Sequence, residues 1–323
     1  MTGKERIRCL AVTGATASGK TALAIALAQA LNGEIISCDS MQVYRDMDIG
    51  TAKATAEERA AVPHHMIDIL DPVASFSAAE YAERAEAAVK EIAARGRLPI
   101  FCGGTGLYLE AVRTARHGAP MESDPTFRTE AEAYAREMGN EALHARLQTV
   151  DPLSAAEIHP NNVKRVIRAL EIYHVTGKPK SVTDREACEE NPSLSVFNLF
   201  LRFHSRELLY RRIDERVEAM VSEGLLAETE WLYRTGRLRP HTTAAAAIGY
   251  KECLGVVTGE LTVTEAKAAL KNATHHYAKR QETWFSAKEH TPLYMDTEAG
   301  ELRPADEVLA EALALVRKHL ECK

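Results

Sequence analysis

Short apolar runs alternate with longer helix-forming stretches in the N-terminal third of the chain. The runs lie at residues 9–14, 34–40, 66–70 and 98–104. Runs of this length without polar alternation are typical of strands buried on both faces of a parallel sheet. Helix formers fill residues 21–31, and Ser77 with Glu80 forms a capping box that predicts a helix ending near Arg95. This alternation predicts an α/β fold with a parallel sheet.

The pattern changes after about residue 118, where polar and turn-forming residues become frequent. From Pro125 to about Asn191 the apolar positions have helical spacing and no strand is evident. Strand-like residues return at 195–203, and helical stretches follow to the end of the chain. We therefore predict two domains: an α/β core of residues 1–117 and 197–323, and an inserted all-helical domain of residues 118–196.

The composition is ordinary for a globular protein, with 46% hydrophobic and 27% charged residues among 323. No apolar run approaches the ~20 residues that span a bilayer. Residues 1–14 lack the apolar core of a signal peptide, so we expect a cytoplasmic protein without membrane contact. The net charge of −6 argues against a chain coated in nucleic acid but leaves room for a local basic patch.

The six cysteines and twelve histidines show no ligand spacing. No C-x-x-C pair occurs, and the neighbours in His64–His65 and in His275–His276 point to different faces. We predict buried free thiols and structural or surface histidines, rather than a disulfide framework or a metal cluster.

Residues 14–21, which we call the phosphate loop, read GATASGKT between a predicted strand and a predicted helix. Glycines in this pattern let backbone N–H groups converge on phosphate oxygens, while the lysine supplies positive charge. The hydroxyl of Thr21 can ligate Mg²⁺. We predict that a phosphate group is bound by Gly14, Ala15, Thr16, Ala17, Ser18, Gly19, Lys20 and Thr21.

Polar residues follow two of the predicted strands. Asp39 and Ser40 end the second strand, and GGTGLY at residues 103–108 ends the fourth. Ligands of parallel sheets bind at the carboxyl ends of strands, so these residues should face the phosphate loop. Unless Asp39 fills that place, no Walker B carboxylate is evident. From these residues alone, Asp39 could hold Mg²⁺, accept a proton or cap a turn.

Several segments together resemble one enzyme family. They are GATASGKT (14–21), DSMQVYRDMDIGTAK (39–53), GGTGLY (103–108), NNVKRVIRALEIY (161–173), IGYKE (248–252) and AKRQETWF (278–285). In this order they resemble the tRNA dimethylallyltransferases, also called tRNA isopentenyltransferases. Two positions depart from the family pattern: Ala15 replaces a usual proline, and Ser286 replaces a common arginine.

The resemblance implies a P-loop NTPase-like core, Mg²⁺ as cofactor and a monomeric enzyme. The donor would be dimethylallyl diphosphate, and the acceptor the exocyclic amine of the adenosine 3′-adjacent to the anticodon of tRNA. Asp39 would be the general base, Thr105 would donate a hydrogen bond to the oxygen that bridges carbon and phosphorus, and Arg216 would contact the diphosphate. Tyr44 and Tyr108 could shield the reacting group from water or simply pack, and we favour a core position for Trp284.

The resemblance also implies an anticodon stem-loop as partner, whose target base must be flipped out of the stack. Residues 39–42, the DSMQ loop, resemble the segment that grips this adenine: Asp39, Ser40, Met41 and Gln42. Phosphate contacts require basic side chains. Candidates lie in the insertion, at Lys164, Arg165, Val166, Ile167 and Arg168, and in the C-terminal half, at Gly249, Tyr250, Lys251, Lys279 and Arg280.

Three alternatives remain open from the residues. A small-molecule kinase would use ATP with Lys20 and Asp39, but it gives no role to GGTGLY or to the basic insertion. A prenyltransferase acting on free adenine nucleotides would not need the insertion. A non-enzymatic RNA-binding module would leave the phosphate loop without a purpose.

Overall fold

The computed structural model describes residues 6–114, 124–186, 190–240 and 242–321. The chain forms two compact units, one of Met1–Arg113 with Pro192–Lys323 and one of Thr114–Asn191. The boundary predicted at residues 117 and 118 lies outside the described residues. The boundary predicted at residues 196 and 197 falls inside a strand, because Leu194 already pairs with Ile7 of the central strand.

The first unit contains a six-stranded sheet in the order β3-β2-β4-β1-β5-β6, with every pairing parallel. The strands are β1 (Ile7–Gly14), β2 (Gly33–Ser37), β3 (His64–His65), β4 (Leu98–Gly103), β5 (Leu194–Arg202) and β6 (Thr291–Tyr294). The predicted α/β fold with a parallel sheet is confirmed. Four strands coincide with apolar runs, because strands at the centre of a parallel sheet are covered on both faces.

The strand predicted at residues 66–70 is wrong. The third strand is the polar pair His64–His65, and the backbone then enters the left-handed region at Met66 (φ 63°) and Asp68 (φ 57°). The imidazole of His65 lies 2.6 Å from the carboxylate of the buried Glu34 on β2, so a charged partner stabilises this short strand. Leu70 forms only an isolated bridge with Tyr44. Strand β6 at the opposite edge was not predicted.

Helices surround this sheet and build the second unit. They are α1 (Lys20–Ala30), α2 (Ala56–Ala61), α3 (Ala78–Ala94), α4 (Gly106–Arg113), α5 (Pro125–Met138), α6 (Asn140–Val150), α7 (Pro152–Glu157), α8 (Val163–Thr176), α9 (Lys180–Glu186), α10 (Arg206–Ser222), α11 (Leu225–Arg234), α12 (Tyr250–Val257), α13 (Val263–Ser286) and α14 (Ala305–Glu321). The capping box of Ser77 and Glu80 begins α3 as predicted. Helices α1 and α14 cover one face of the sheet, and α3 and α4 cover the other.

The second unit has helices and no strand among its described residues, as the periodicity predicts. Its core packs Leu143, Leu147, Val166 and Leu170 together. The carboxylate of Glu171 is completely buried in this unit. Four donors compensate for its burial: Nε and Nη2 of Arg128 at 2.7 and 2.9 Å, Nη1 of Arg168 at 2.5 Å, and the Asp124 N–H at 2.9 Å.

The carboxylate of Glu171 should make the helical unit sensitive to acid. Burial by itself raises the pKa of Glu171, but the hydrogen bonds from Arg128 and Arg168 outweigh it and hold the pKa below its ordinary value. A lowered folded pKa stabilises the folded state above the unfolded pKa. This contribution is lost as pH falls from the unfolded pKa, about 4.3, through the folded one.

We expect Glu171→Gln to lower the free energy of unfolding by ~1–3 kcal/mol at pH 7, because an ionised acceptor of four hydrogen bonds is removed. The difference from wild type should shrink as pH falls below ~4.3. Urea titrations followed by circular dichroism at several pH values measure both effects. Glu137→Gln, at an exposed position of α5, is the matched control and should change little. An equal loss of stability in both variants would contradict the assignment.

Candidate active site

The phosphate loop joins β1 to α1 and leaves the first turn of that helix open. Gly19 is the N-cap residue at φ 92°, and no side chain caps the helix. A Cβ at Gly14 would lie 2.9 Å from the carbonyl oxygen of Leu201, so the loop requires glycine at that position. The N–H groups of the first turn and the positive end of the helix dipole can therefore receive an anion. Ala15 is buried, which fits the exchange of one small apolar residue for another.

Lys20 lies near the end of this loop, where α1 begins. Its Nζ donates a hydrogen bond to the carbonyl oxygen of Ala15 at 2.7 Å, across its own loop. Loss of solvation, with a smaller contribution from the guanidinium of Arg216, lowers the pKa of Lys20 to about 8, against the opposing effects of Cys102 and Asp39. A bound diphosphate would favour the charged form of this ammonium group.

Asp39 follows β2, and only one of its two carboxylate oxygens accepts hydrogen bonds from the described residues. Its Oδ1 accepts hydrogen bonds from the N–H groups of Met41 at 2.8 Å and Gln42 at 3.4 Å. Asp39 therefore caps a turn, and no hydrogen bond from the described residues reaches Oδ2. The same residue lines a cavity with Lys20 and Thr21. One carboxylate oxygen is thus fixed by the backbone while the other is available for chemistry.

Helix α10 brings two arginines to the phosphate loop from the same helix face. Nε of Arg212 donates to the carbonyl oxygen of Ala17 at 3.0 Å, which fixes the helix against the loop. Arg216, one turn later, has no ion-pair partner within 4.0 Å among the described residues. The carboxylate of Glu218, on the same helix, binds Lys267 and Lys271. Desolvation lowers the pKa of Arg216, and Asp39 opposes this shift.

Three cavities in the first unit share Arg216 as a wall. The inner cavity is lined by Lys20, Thr21, Asp39, Arg216 and Tyr277, with others. The phosphate-side cavity adds Ala17, Gly19, Ala22, Arg212 and Glu215 to Lys20, Thr21 and Arg216. The DSMQ-side cavity adds Ser40, Met41, Met220, Ile248 and Arg280 to Asp39, Arg216 and Tyr277. Asp39 therefore lies between a cation-rich compartment and one lined by the DSMQ loop.

Thr105 lies next to the DSMQ loop. Its N–H donates to the carbonyl oxygen of Cys38 at 3.1 Å, and its Oγ1 accepts from the Ser40 N–H at 3.0 Å. The Thr105 hydroxyl also lies 3.4 Å from the Ser40 hydroxyl. Thr105 is absent from the walls of the three cavities, so its contact with a bridging oxygen remains a prediction.

The amide of Gln42 has protein partners at both ends, and Gln42 also lines the inner cavity with Asp39, so its contact with an adenine stays a prediction. Oε1 accepts from the hydroxyl of Ser37 at 2.8 Å. Nε2 lies 3.2 Å from the carbonyl oxygens of both Thr51 and Ala52. Gln42 therefore holds two stretches of backbone together. Ser40 and Met41 remain on the cavity wall.

The predicted direct contact of Gly249 and Tyr250 with tRNA is corrected by the structure. Gly249 is buried, and Tyr250 is 0% exposed. The Tyr250 hydroxyl donates to Glu228 at 2.6 Å. The Glu228 carboxylate also accepts from the N–H groups of Asp48, Ile49 and Gly50 at 2.9–3.2 Å. These residues fix the loop that follows the DSMQ loop.

Only some of the basic candidates in the helical unit have side chains without a carboxylate partner that could contact tRNA phosphates. Lys164 and Arg165 are exposed on α8, whereas Val166 and Ile167 are core residues at 0% and 4% exposure, which corrects their assignment to tRNA. Arg168 is paired with the buried carboxylate of Glu171 while 39% of its side chain stays exposed, so its contact with tRNA stays a prediction. In α9 and the turn before it, Lys178 pairs with Glu186 and Lys180 with Asp184.

In the first unit, the basic candidates Lys251, Lys279 and Arg280 are all exposed. The guanidinium of Arg280 lies 5.6 Å from the ring centre of Tyr277. Sequence reasoning missed Tyr277, although it lies one helical turn before Arg280 and next to AKRQETWF. Ser286, the departure from the family pattern, is exposed at the end of α13.

The aromatic candidates have separate outcomes. Tyr44 is 1% exposed, and Tyr108 is buried with its ring stacked on Tyr81 at 4.1 Å, so both pack in the interior. The core position favoured for Trp284 is wrong, because 37% of this residue is exposed.

The described residues contain no cluster of three acidic, histidine or cysteine side chains that could hold a metal ion alone. Cys9, Cys38, Cys102 and Cys253 are free and buried, as predicted, while Cys188 and Cys322 lie outside the described ranges. Within those ranges, no helix has the length and apolarity to cross a membrane.

Comparison with known proteins gives consistent matches. The IPP transferase family profile matches residues 42–288. A tRNA dimethylallyltransferase of Symbiobacterium thermophilum is 45% identical over 318 residues, 98% of this chain and 98% of the relative. A protein of the same name from Geobacillus thermodenitrificans is 49% identical over 278 residues, 86% of this chain and 87% of the relative.

Solved structures agree. The full-length tRNA isopentenylpyrophosphate transferase of Bacillus halodurans has a TM-score of 0.70 at 42% identity, covering 98% of this chain and 97% of that one. A eukaryotic dimethylallyltransferase, solved in crystallographic snapshots of the enzyme acting on tRNA, has a TM-score of 0.78 at 29% identity, covering 97% and 80%. Together with the family match, which spans most of the chain, these similarities confirm the resemblance seen in the sequence segments: this chain belongs to the IPP transferase family.

Proposed function

We propose that this chain transfers a dimethylallyl group from dimethylallyl diphosphate to tRNA in the cytoplasm. The acceptor is the exocyclic amine of the adenosine 3′-adjacent to the anticodon, and diphosphate is released. One observation carries the proposal: Asp39 stands between the cation-rich cavity of the phosphate loop and the cavity lined by the DSMQ loop. The relatives named tRNA dimethylallyltransferase support the choice of substrates.

The phosphate side is suited to a leaving diphosphate. When the bond between the allylic carbon and oxygen breaks, the electron pair stays on the diphosphate and its negative charge grows. The ammonium of Lys20, the guanidinium of Arg216 and the open N–H groups of α1 are already directed to one compartment. Groups fixed where charge develops stabilise the transition state more than the ground state.

Mg²⁺ fits the donor set of this compartment. Mg²⁺ is commonly held by one or two protein oxygens together with substrate phosphates and water, so a protein-only cage is not required. The hydroxyl of Thr21 lines both the inner and the phosphate-side cavities and would hold the ion. When bound there, Mg²⁺ would neutralise part of the charge on the diphosphate.

Asp39 is suited to receive the proton of the acceptor. As the amine nitrogen bonds to the allylic carbon, it must lose one proton, and Oδ2 of Asp39 is the open oxygen beside the DSMQ-side cavity. Its Oδ1 stays bound to the backbone, which fixes the direction of the carboxylate. An extruded base can enter past Ser40, Met41 and Ile248, which line that cavity.

Binding of the donor should stabilise the protein by mass action. With Mg²⁺, dimethylallyl diphosphate at 100 times its Kd should add ~2.7 kcal/mol and raise the melting temperature. Lys20→Ala should abolish this shift because it removes the central cation, whereas Lys318→Ala, at an exposed position of α14, should not. Differential scanning fluorimetry measures both. A shift with ATP and none with dimethylallyl diphosphate would favour a kinase instead.

Replacement of Asp39 separates its two candidate roles. Asp39→Asn keeps an oxygen that can accept from Met41 N–H but removes the proton acceptor, so single-turnover prenyl transfer should fall by on the order of 10²–10⁴-fold. Donor binding with Mg²⁺ present should survive. Collapse of both rate and donor binding would make Asp39 a metal ligand, and a near wild-type rate would leave it only as a turn cap.

The exposed pair Lys164 and Arg165 should contribute phosphate contacts to tRNA. The double variant Lys164→Ala with Arg165→Ala should weaken binding and reduce the slope of log affinity against log salt by roughly two units. Filter-binding titrations measure that slope. The control is Lys178→Ala with Lys180→Ala, whose ammonium groups are already paired with carboxylates of the same unit. A wild-type slope in the variant that lacks Lys164 and Arg165 would place the phosphate contacts elsewhere.

A further inference from the structure

Gln281 on α13 is buried beneath the two loops that carry the proposed chemistry. It is 5% exposed, and its amide is shared between them. Oε1 accepts from the N–H of Thr16 in the phosphate loop at 2.8 Å. Nε2 donates to the carbonyl oxygen of Gly104, one residue before Thr105, at 3.0 Å. One side chain thus joins the phosphate loop to the loop that contacts Ser40.

The chain is shaped around this amide. A Cβ at Gly104 would lie 1.9 Å from Nε2 of Gln281, so a side chain there would displace this amide from its present position. The same hypothetical Cβ lies 3.5 Å from the carbonyl oxygen of Gly14, at the start of the phosphate loop. The loops are therefore neighbours through backbone as well as through Gln281, and little space is left for either to shift independently.

We propose that Gln281 is a positioning residue that sets the distance between the bound diphosphate and the acceptor amine. It lines the inner cavity, but both ends of its amide are bound to the two loops. It holds the phosphate loop at Thr16 and the Thr105 loop at Gly104, while Thr105 in turn holds the backbone of Ser40, next to the general base Asp39. This inference rests on the proposed function, because it assigns the donor to the first loop and the acceptor to the second.

The reaction needs this spacing more than the binding of either substrate does. The amine nitrogen must approach the allylic carbon while the carbon–oxygen bond breaks on the opposite side. A displacement of about 1 Å between the two substrates can cost ~10²-fold in rate. Each substrate would still meet the groups of its own loop, so its affinity would change little. Gln281 should thus affect the rate of the bound complex.

The decisive variant is Gln281→Glu, which preserves shape but changes one contact. One carboxylate oxygen can still accept from the Thr16 N–H, while the other faces the carbonyl oxygen of Gly104 and repels it. Protonation of the introduced carboxyl restores a donor to Gly104. Its buried position next to a carbonyl oxygen favours the neutral form and raises its pKa, so the carboxyl should be protonated at a pH at which the assay can be run.

We expect the single-turnover rate of Gln281→Glu at saturating substrates to fall by about 10–100-fold at pH 8, with donor Kd within about threefold of wild type. The ratio of the variant rate to the wild-type rate should rise as pH falls, because dividing by the wild-type rate removes the pH dependence that both proteins share. Glu282→Gln, the reverse exchange at the next position, is the control and should show a constant ratio near one. Gln281→Met, which lacks both hydrogen bonds, should be slow at every pH.

Three outcomes would overturn the inference. A rate ratio of Gln281→Glu that does not change with pH would show that the contact to Gly104 does not set the rate. In a second outcome, Gln281→Met lowers the melting temperature and the donor affinity together while the rate per bound donor stays normal. That result would make Gln281 only a packing residue. A normal rate in both variants would remove any role. Absence of transfer by the wild-type protein would instead refute the proposed function.

Discussion

An excess of positive charge in an enclosed space governs the arrangement of the site. The ammonium of Lys20 and the guanidinium of Arg216 face the same cavity, and Asp39 is the carboxylate opposite them. Desolvation lowers the pKa of both cations, so an anion placed between them would be electrostatically favourable. A site built in this way is suited to the proposed diphosphate, whose negative charge would grow as the donor bond breaks.

Polar side chains hold the site in place where regular secondary structure does not reach. No helix or longer strand spans the segment that follows β2 and contains the DSMQ loop. Gln42 binds the carbonyl oxygens of Thr51 and Ala52, and Glu228 receives the N–H groups of residues 48–50. A backbone without its own ladder must satisfy its polar groups through such contacts, and they also fix where the cavity wall lies.

Features encoded by neighbouring residues could be predicted from the sequence, whereas features formed by distant residues could not. Apolar runs revealed β1, β2, β4 and β5 because both faces of these strands are covered. The strand His64–His65 was missed because its support is the charge of Glu34 on another strand. The phosphate loop has its chemistry within eight residues and was evident, but the contacts of Gln281 join residues far apart in the chain.

The same limit explains the corrected assignments in the basic segments. Val166 and Ile167 were grouped with Lys164 and Arg165 because they are adjacent in the sequence. In a helix, adjacent residues point to different faces, and these two face the core. Tyr250 was assigned to the surface with Lys251, but its hydroxyl is needed by Glu228. A resemblance identifies a segment of importance without separating its contact residues from its supporting ones.

The pKa of Lys20 near 8 has a consequence for the coupling between donor and protons. Above that pH, part of the unliganded protein carries a neutral amine in the phosphate loop, which relieves its repulsion with Arg216. The proposed diphosphate would restore the ammonium form, so its arrival in mildly alkaline solution would draw a proton from the buffer. The heat of association would then depend on the ionisation enthalpy of the buffer, and affinity would decline as the solution becomes more alkaline.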